Sequence, residues 1–120
     1  METEMTLQDL FNKIWAGMKS QNFERASDGY KYRYHLGNKK CPIGYIIPQN
    51  IYSEAMEGLG IRELVRYLRL CGSISLAALF AKYSSELQLL QSVHDNNASS
   101  IDIKAKLKMF ASKNRLSIPE

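Results

Sequence analysis

Lys40-Cys41-Pro42-Ile43-Gly44-Tyr45-Ile46-Ile47-Pro48-Gln49-Asn50-Ile51-Tyr52, closing downstream at Glu57-Gly58, is the stretch that sets the character of this chain. Its nineteen positions hold one cysteine, two prolines, two glycines and two tyrosines. Proline fixes φ and glycine tolerates positive φ, so a run this rich in both reads as a shaped turn rather than regular helix or strand. The turn fixes how a small sheet meets a helix.

Upstream, Tyr30-Lys31-Tyr32-Arg33-Tyr34 alternates with period two in β-favouring aromatics, which predicts a strand with tyrosines on one face and cations on the other. Leu36-Gly37-Asn38-Lys39 supplies a turn, and Lys40 to Ile47 is expected to return as the second strand. Pro42 would remove one ladder donor, so that strand belongs at an edge or carries a bulge. An isolated two-stranded hairpin is marginal in water and must pack on helices.

Helical patterning surrounds the hairpin. Thr6 followed by Asp9 forms an N-cap signal, and Leu7, Leu10, Phe11, Ile14, Trp15 and Met18 make one apolar stripe behind it. Gln21 to Gly29 is polar and reads as a loop, with Phe23 closing the stripe. Pro48 to Ser53 predicts a helix start or a turn-rich entry with Tyr52 and Met56 inward. Ile61, Leu64, Val65 and Leu68 form a second stripe ended by Cys71-Gly72. Ser75 is expected to cap a longer helix whose Leu76, Leu79, Phe80, Tyr83, Leu87 and Leu90 share a face. Residues 95–100 read as a loop. A last helix from about Ile101 turns Ile103, Leu107, Phe110 and Ala111 inward. The expectation is a single α+β domain over residues 1–120, mostly helical, with four to five helices and a short antiparallel β-hairpin packed on them.

At 120 residues the chain can bury a core without staples. Its apolar share of 45% and charged share of 23% are those of an ordinary globular protein. Cys41 and Cys71 are too few for a disulfide framework and lack zinc-site spacing, which points to a reducing, cytoplasmic compartment. The polar N-terminus does not read as a signal peptide, and no apolar run is long enough to span a bilayer. A soluble protein without a membrane partner, metal or cofactor is expected. The net charge of +4 is unevenly spread. Residues 31–40 carry Lys31, Arg33, Lys39 and Lys40 with no acid, and Arg62, Arg66, Arg69 and Lys82 face Glu63 alone over residues 61–82. Such zones can meet anionic partners but fall short of a dedicated nucleic-acid binder.

The pattern Cys41-x-Ile43-Gly44-x-x-Ile47-Pro48-x-x-x-Tyr52-x-x-x-x-Glu57-Gly58 resembles a family of small uncharacterised proteins encoded by phages and prophages. The likeness reaches back to Tyr32-Arg33 and Gly37 and returns at Leu90-Gln91-x-x-His94-Asp95. Two positions depart from it, Pro42 where such proteins often carry Ala and Gln49 where they often carry Asp. The resemblance implies a phage setting inside a bacterial cell. It carries over no catalytic residue.

Cys41, His94 and Asp95 are the residue types of a cysteine nucleophile with its base and orienting group. The plainer reading makes Cys41 a small buried hydrophobe beside a turn, and sets His94-Asp95 at a helix C-terminus where imidazole suits the dipole. A metal-dependent phosphohydrolase would need further His and Asp ligands, and His35 is the one other histidine. Gly37, Gly44, Gly58 and Gly60 lack any phosphate-cradling spacing. Arg62, Arg66 and Arg69 share a helix face, as do Lys104 and Lys108; these are solvated faces, docking sites for an acidic protein, or phosphate contacts. Tyr30, Tyr32, Tyr34, Tyr45 and Tyr52 either cover the helices or face a partner. The reading taken forward is a non-enzymatic phage or prophage module that occupies a surface of a host bacterial protein, a defence nuclease being one such target. Its contacts are expected at Tyr32, Arg33, Lys39, Lys40, Arg62, Arg66 and Arg69. The alternatives are a nucleic-acid-binding accessory factor and a small enzyme built on Cys41.

Overall fold

A computed structural model describes residues 5–24, 34–36, 39–95 and 99–119 of the chain, without the side chains of Leu36, 93–95 and Ser100. The first helix, α1 (Leu7–Ser20), begins where the sequence places it. The Thr6 hydroxyl accepts from the Asp9 N–H, and the Asp9 carboxylate accepts from the Thr6 N–H. Two of the N–H groups left over at a helix start are thereby satisfied. Leu10, Phe11, Ile14, Trp15 and Met18 are buried along its inner face. Phe23 follows them inward, edge-on to Trp15 at 5.1 Å.

Residues 30–33, the core of the expected first strand, lie outside the described residues. The strands seen are β1 (His35–Leu36) and β2 (Lys39–Lys40), paired antiparallel with His35 opposite Lys40 and Leu36 opposite Lys39. The return strand expected over 40–47 stops at Lys40. Pro42 adopts helical angles, φ −50° and ψ −43°, and Ile43–Ile46 wind into a 3-10 turn. Proline's fixed φ suits the start of a helical turn, and its missing N–H would have broken a ladder. Ile43, Ile46 and Ile47 are buried there, and the turn packs on α1. Pro48 then closes a tight turn by accepting from the N–H groups of Ile51 and Tyr52, and Glu54–Met56 make a second 3-10 turn that buries Met56.

Helix α2 (Ile61–Leu70) buries Ile61, Leu64, Val65 and Leu68, as the stripe predicts. The single long helix expected after it is two: α3 (Ile74–Lys82) and α4 (Ser84–Asp95). Ser73 rather than Ser75 stands at the N-cap position. Tyr83 leaves helical geometry at φ −108° and ψ 28°. Packing explains the kink. α3 lies chiefly on α2, while α4 must reach α5 (Ser100–Lys113) as well as α2. One straight rod cannot present a stripe in both directions. Ser99 caps α5 by accepting from the Asp102 N–H, and Ile103, Leu107, Phe110 and Ala111 enter the core. One hydrophobic cluster runs from Leu10 to Ala111 through α1, α2, α3, α4 and α5 and the 3-10 turn at Ile43. The chain is a mostly helical single domain. No described helix is long and apolar enough to cross a membrane.

Candidate functional site

The shaped turn is built around buried backbone groups that side chains satisfy. Glu57 accepts from the N–H of Tyr34 at 2.8 Å and of His35 at 3.2 Å, and the Tyr52 hydroxyl donates to the same carboxylate. His35 lies in β1, only 8% exposed, with its ring stacked on Tyr52 at 4.0 Å between centroids. Its Nε2 donates to the Gly44 carbonyl at 3.0 Å, which leaves Nδ1 as a bare acceptor with no partner among the described residues. Burial holds the imidazole pKa below its ordinary 6.5, so the ring is neutral at physiological pH. Gly44 sits against the Tyr34 carbonyl oxygen so closely that an added Cβ would lie 2.0 Å from it. Gly58, with φ +83°, lets the chain turn past Glu57 into α2. The Tyr34 hydroxyl donates to the Leu59 carbonyl and accepts from the Gln91 amide at 2.9 Å, joining this knot to α4.

On the other side, Gln21 donates to the Lys40 carbonyl at 2.8 Å and accepts from the Lys40 N–H at 2.9 Å. The Tyr45 hydroxyl donates to the same amide oxygen, and burial pushes the phenol pKa above its usual 10.0. Most motif residues therefore have architectural work. Cys41 is 3% exposed, and its N–H donates to the Tyr34 carbonyl. Ile43, Gly44 and Ile47 are buried, Tyr52 and Glu57 hold the knot, and Pro48 opens the turn that follows. A thiol so enclosed has no approach for a substrate, so the geometry favours the inert reading of Cys41. His94 and Asp95 end α4, where the dipole argument places them. Their side chains lie outside the described residues.

The basic candidates separate. Tyr32 and Arg33 lie outside the described residues. Lys39 pairs with Glu24 at 2.8 Å, and the Lys40 ammonium stands 5.5 Å from the centre of the Tyr45 ring. Arg62, Arg66 and Arg69 are all exposed on the outer face of α2, and no acid pairs with them among the described residues. At 3.6 residues per turn they fall within one narrow arc opposite the Leu64–Leu68 stripe. Glu63, their acidic neighbour, is turned to the helix start, where it accepts from the Gly60 N–H at 3.1 Å. The arginine line begins in an open groove of about 460 Å³ between α2 and α4, lined by Arg62, Glu63, Gln88, Gln91 and Ser92. It ends at the α2–α3 corner, where Leu70 is 83% and Ile74 60% exposed.

Sequence reasoning found the arginine face but missed His35, Gln21 and Gln91 as network members. Glu57-Gly58 was the available signal, since an acid before a glycine that tolerates positive φ is placed to collect backbone donors. No protein-family model, curated protein or solved structure matches the chain.

Proposed function

We propose that this protein is a non-enzymatic binding module whose contact surface is the arginine face of α2 together with the α2–α3 corner. The observation that carries the reading is the line Arg62, Arg66 and Arg69, exposed and unpaired with any described acid, leading to Leu70 and Ile74. Guanidinium groups pair bidentately with carboxylates, and an apolar side chain left in water forgoes about 1.5–3 kcal/mol of burial. An acidic protein surface with an apolar patch answers both. A nucleic-acid backbone answers only the arginines, and no exposed aromatic ring stands on that face among the described residues to stack a base.

The resemblance to phage and prophage proteins sets the scene in this reading: the bacterial cytoplasm, with a host protein, a defence enzyme among the candidates, as the surface covered. In this reading the short antiparallel pair belongs to a β-hairpin packed on the helices, and Tyr32, Arg33, Lys39 and Lys40 add to the contact. Affinity capture from bacterial lysate, split with and without nuclease, tests the reading. A stoichiometric protein that survives nuclease is expected. The triple variant Arg62→Glu/Arg66→Glu/Arg69→Glu should lose that partner with an unchanged Tm. Retained binding would rule out this surface. Material that vanishes with nuclease, and whose log affinity falls steeply with log salt, would assign the face to nucleic acid.

A further inference from the structure

Helix α5 does not segregate its apolar residues to one side. Ile103, Leu107, Phe110 and Ala111 are buried, yet Ile101 is 78% and Met109 60% exposed. With Ala105, also exposed, these fall at i, i+4 and i+8, a second stripe on the side of the helix opposite the core. Lysines border it on both flanks, Lys104 and Lys108 on one and Lys106 and Lys113 on the other, all exposed. The Lys104 ammonium is held 5.5 Å over the Phe23 ring, which fixes that flank. The helix's one acid, Asp102, sits in the first turn, where the helix dipole favours it.

We infer that this outer face of α5 is a second docking surface, and that its occupant is an acidic amphipathic helix of a partner protein. The apolar stripe has the i, i+4 spacing that a partner helix presents, and the lysine borders demand carboxylates on both sides. A second copy of this chain would set lysine against lysine. A membrane surface would find only two large apolar side chains on a helix whose other side is fixed in the core, too little to insert. The surface is separate from the arginine face of α2 and does not depend on it.

Two fluorescent peptides of identical Leu/Glu-rich composition test the inference on the full chain by anisotropy. One places leucines at i, i+4 and i+7 with glutamates flanking; the other scrambles the order. The patterned peptide should bind at least about tenfold more tightly than the scrambled one, the scale of a lost hydrophobic anchor. Ile101→Ser/Met109→Ser should erase that difference with an unchanged melting curve, and the triple arginine variant should keep it. Equal binding of the two peptides, or a difference that survives in the serine variant, overturns the inference. So does binding to phosphatidylcholine–phosphatidylglycerol vesicles, or a concentration-dependent dimer, that the serine variant abolishes.

Discussion

Gly44 shows how little room the turn leaves. A methyl group there would meet a backbone carbonyl rather than a yielding side chain, with only 2.0 Å between them. Gly44→Ala should therefore lower stability by about 3 kcal/mol, the upper part of the range for overpacking. The shift of a urea unfolding midpoint measures it, and an unshifted midpoint would contradict the geometry. His35 adds a pH dependence of opposite sense to that of a histidine with an acidic partner. Its pKa is lowered by burial, with Lys40 adding to the effect while the Gly44 bond and Glu57 oppose it. Below pH 6.5 the unfolded chain takes up a proton that the folded chain resists, so stability falls as pH drops through that region and levels off above it. His35→Gln should flatten the difference in Tm between pH 7.5 and pH 5.5. An equally steep acid limb in that variant would place the titrating group elsewhere.

Among the elements, those with a full stripe and a cap were legible in the sequence. α1 and α2 start and end within a residue or two of the expected signals, because the apolar spacing agrees with the Thr6 cap in α1 and with the Cys71-Gly72 stop in α2. Thr6→Ala removes the cap hydroxyl from the Asp9 N–H and should cost about 1 kcal/mol, read from thermal unfolding. No loss would mean that solvent replaces the hydroxyl fully. The kink at Tyr83 was not legible, since a stripe spaced at i, i+3 and i+4 continues through it and only the positions of α2 and α5 decide where the helix must bend. The strand expected over 40–47 stopped at Lys40 for the same class of reason. β-favouring isoleucines and tyrosine outweighed Pro42 locally, whereas the helical angles of Pro42 and the burial of three isoleucines in the core decided the outcome. Gln21 was hidden because a polar residue after a helix reads as loop; nothing local reveals that it folds back on residue 40.

At the scale of the whole molecule, the two cysteines report on the single core. Cys41 is buried and Cys71 exposed. A thiol reagent at neutral pH should modify Cys71 fast and Cys41 only at the rate of global unfolding. Rapid labelling of both would revive a reactive role for Cys41. The surface is organised as firmly as the interior: its arginine line, unpaired among the described residues, and its lysine-bordered stripe lie on different helices, α2 and α5, each on the side its buried residues leave free. The sequence marked the arginine face and the Lys104–Lys108 face, but not the exposed stripe of Ile101, Ala105 and Met109, which only the burial pattern reveals.

The short ladder has a further property that follows from its two flanking side chains. Lys40 offers its N–H and C=O away from β1, and the Gln21 amide takes both, as a peptide group of a neighbouring strand would. On the far side Glu57 occupies the outward N–H of His35, and it also accepts from the N–H of Tyr34 just before the strand. Exposed strand edges recruit other chains by adding strands, the usual route to aggregation. Here a glutamine and a glutamate occupy the places an incoming strand would need, so this small sheet cannot seed intermolecular pairing at these positions while both side chains hold.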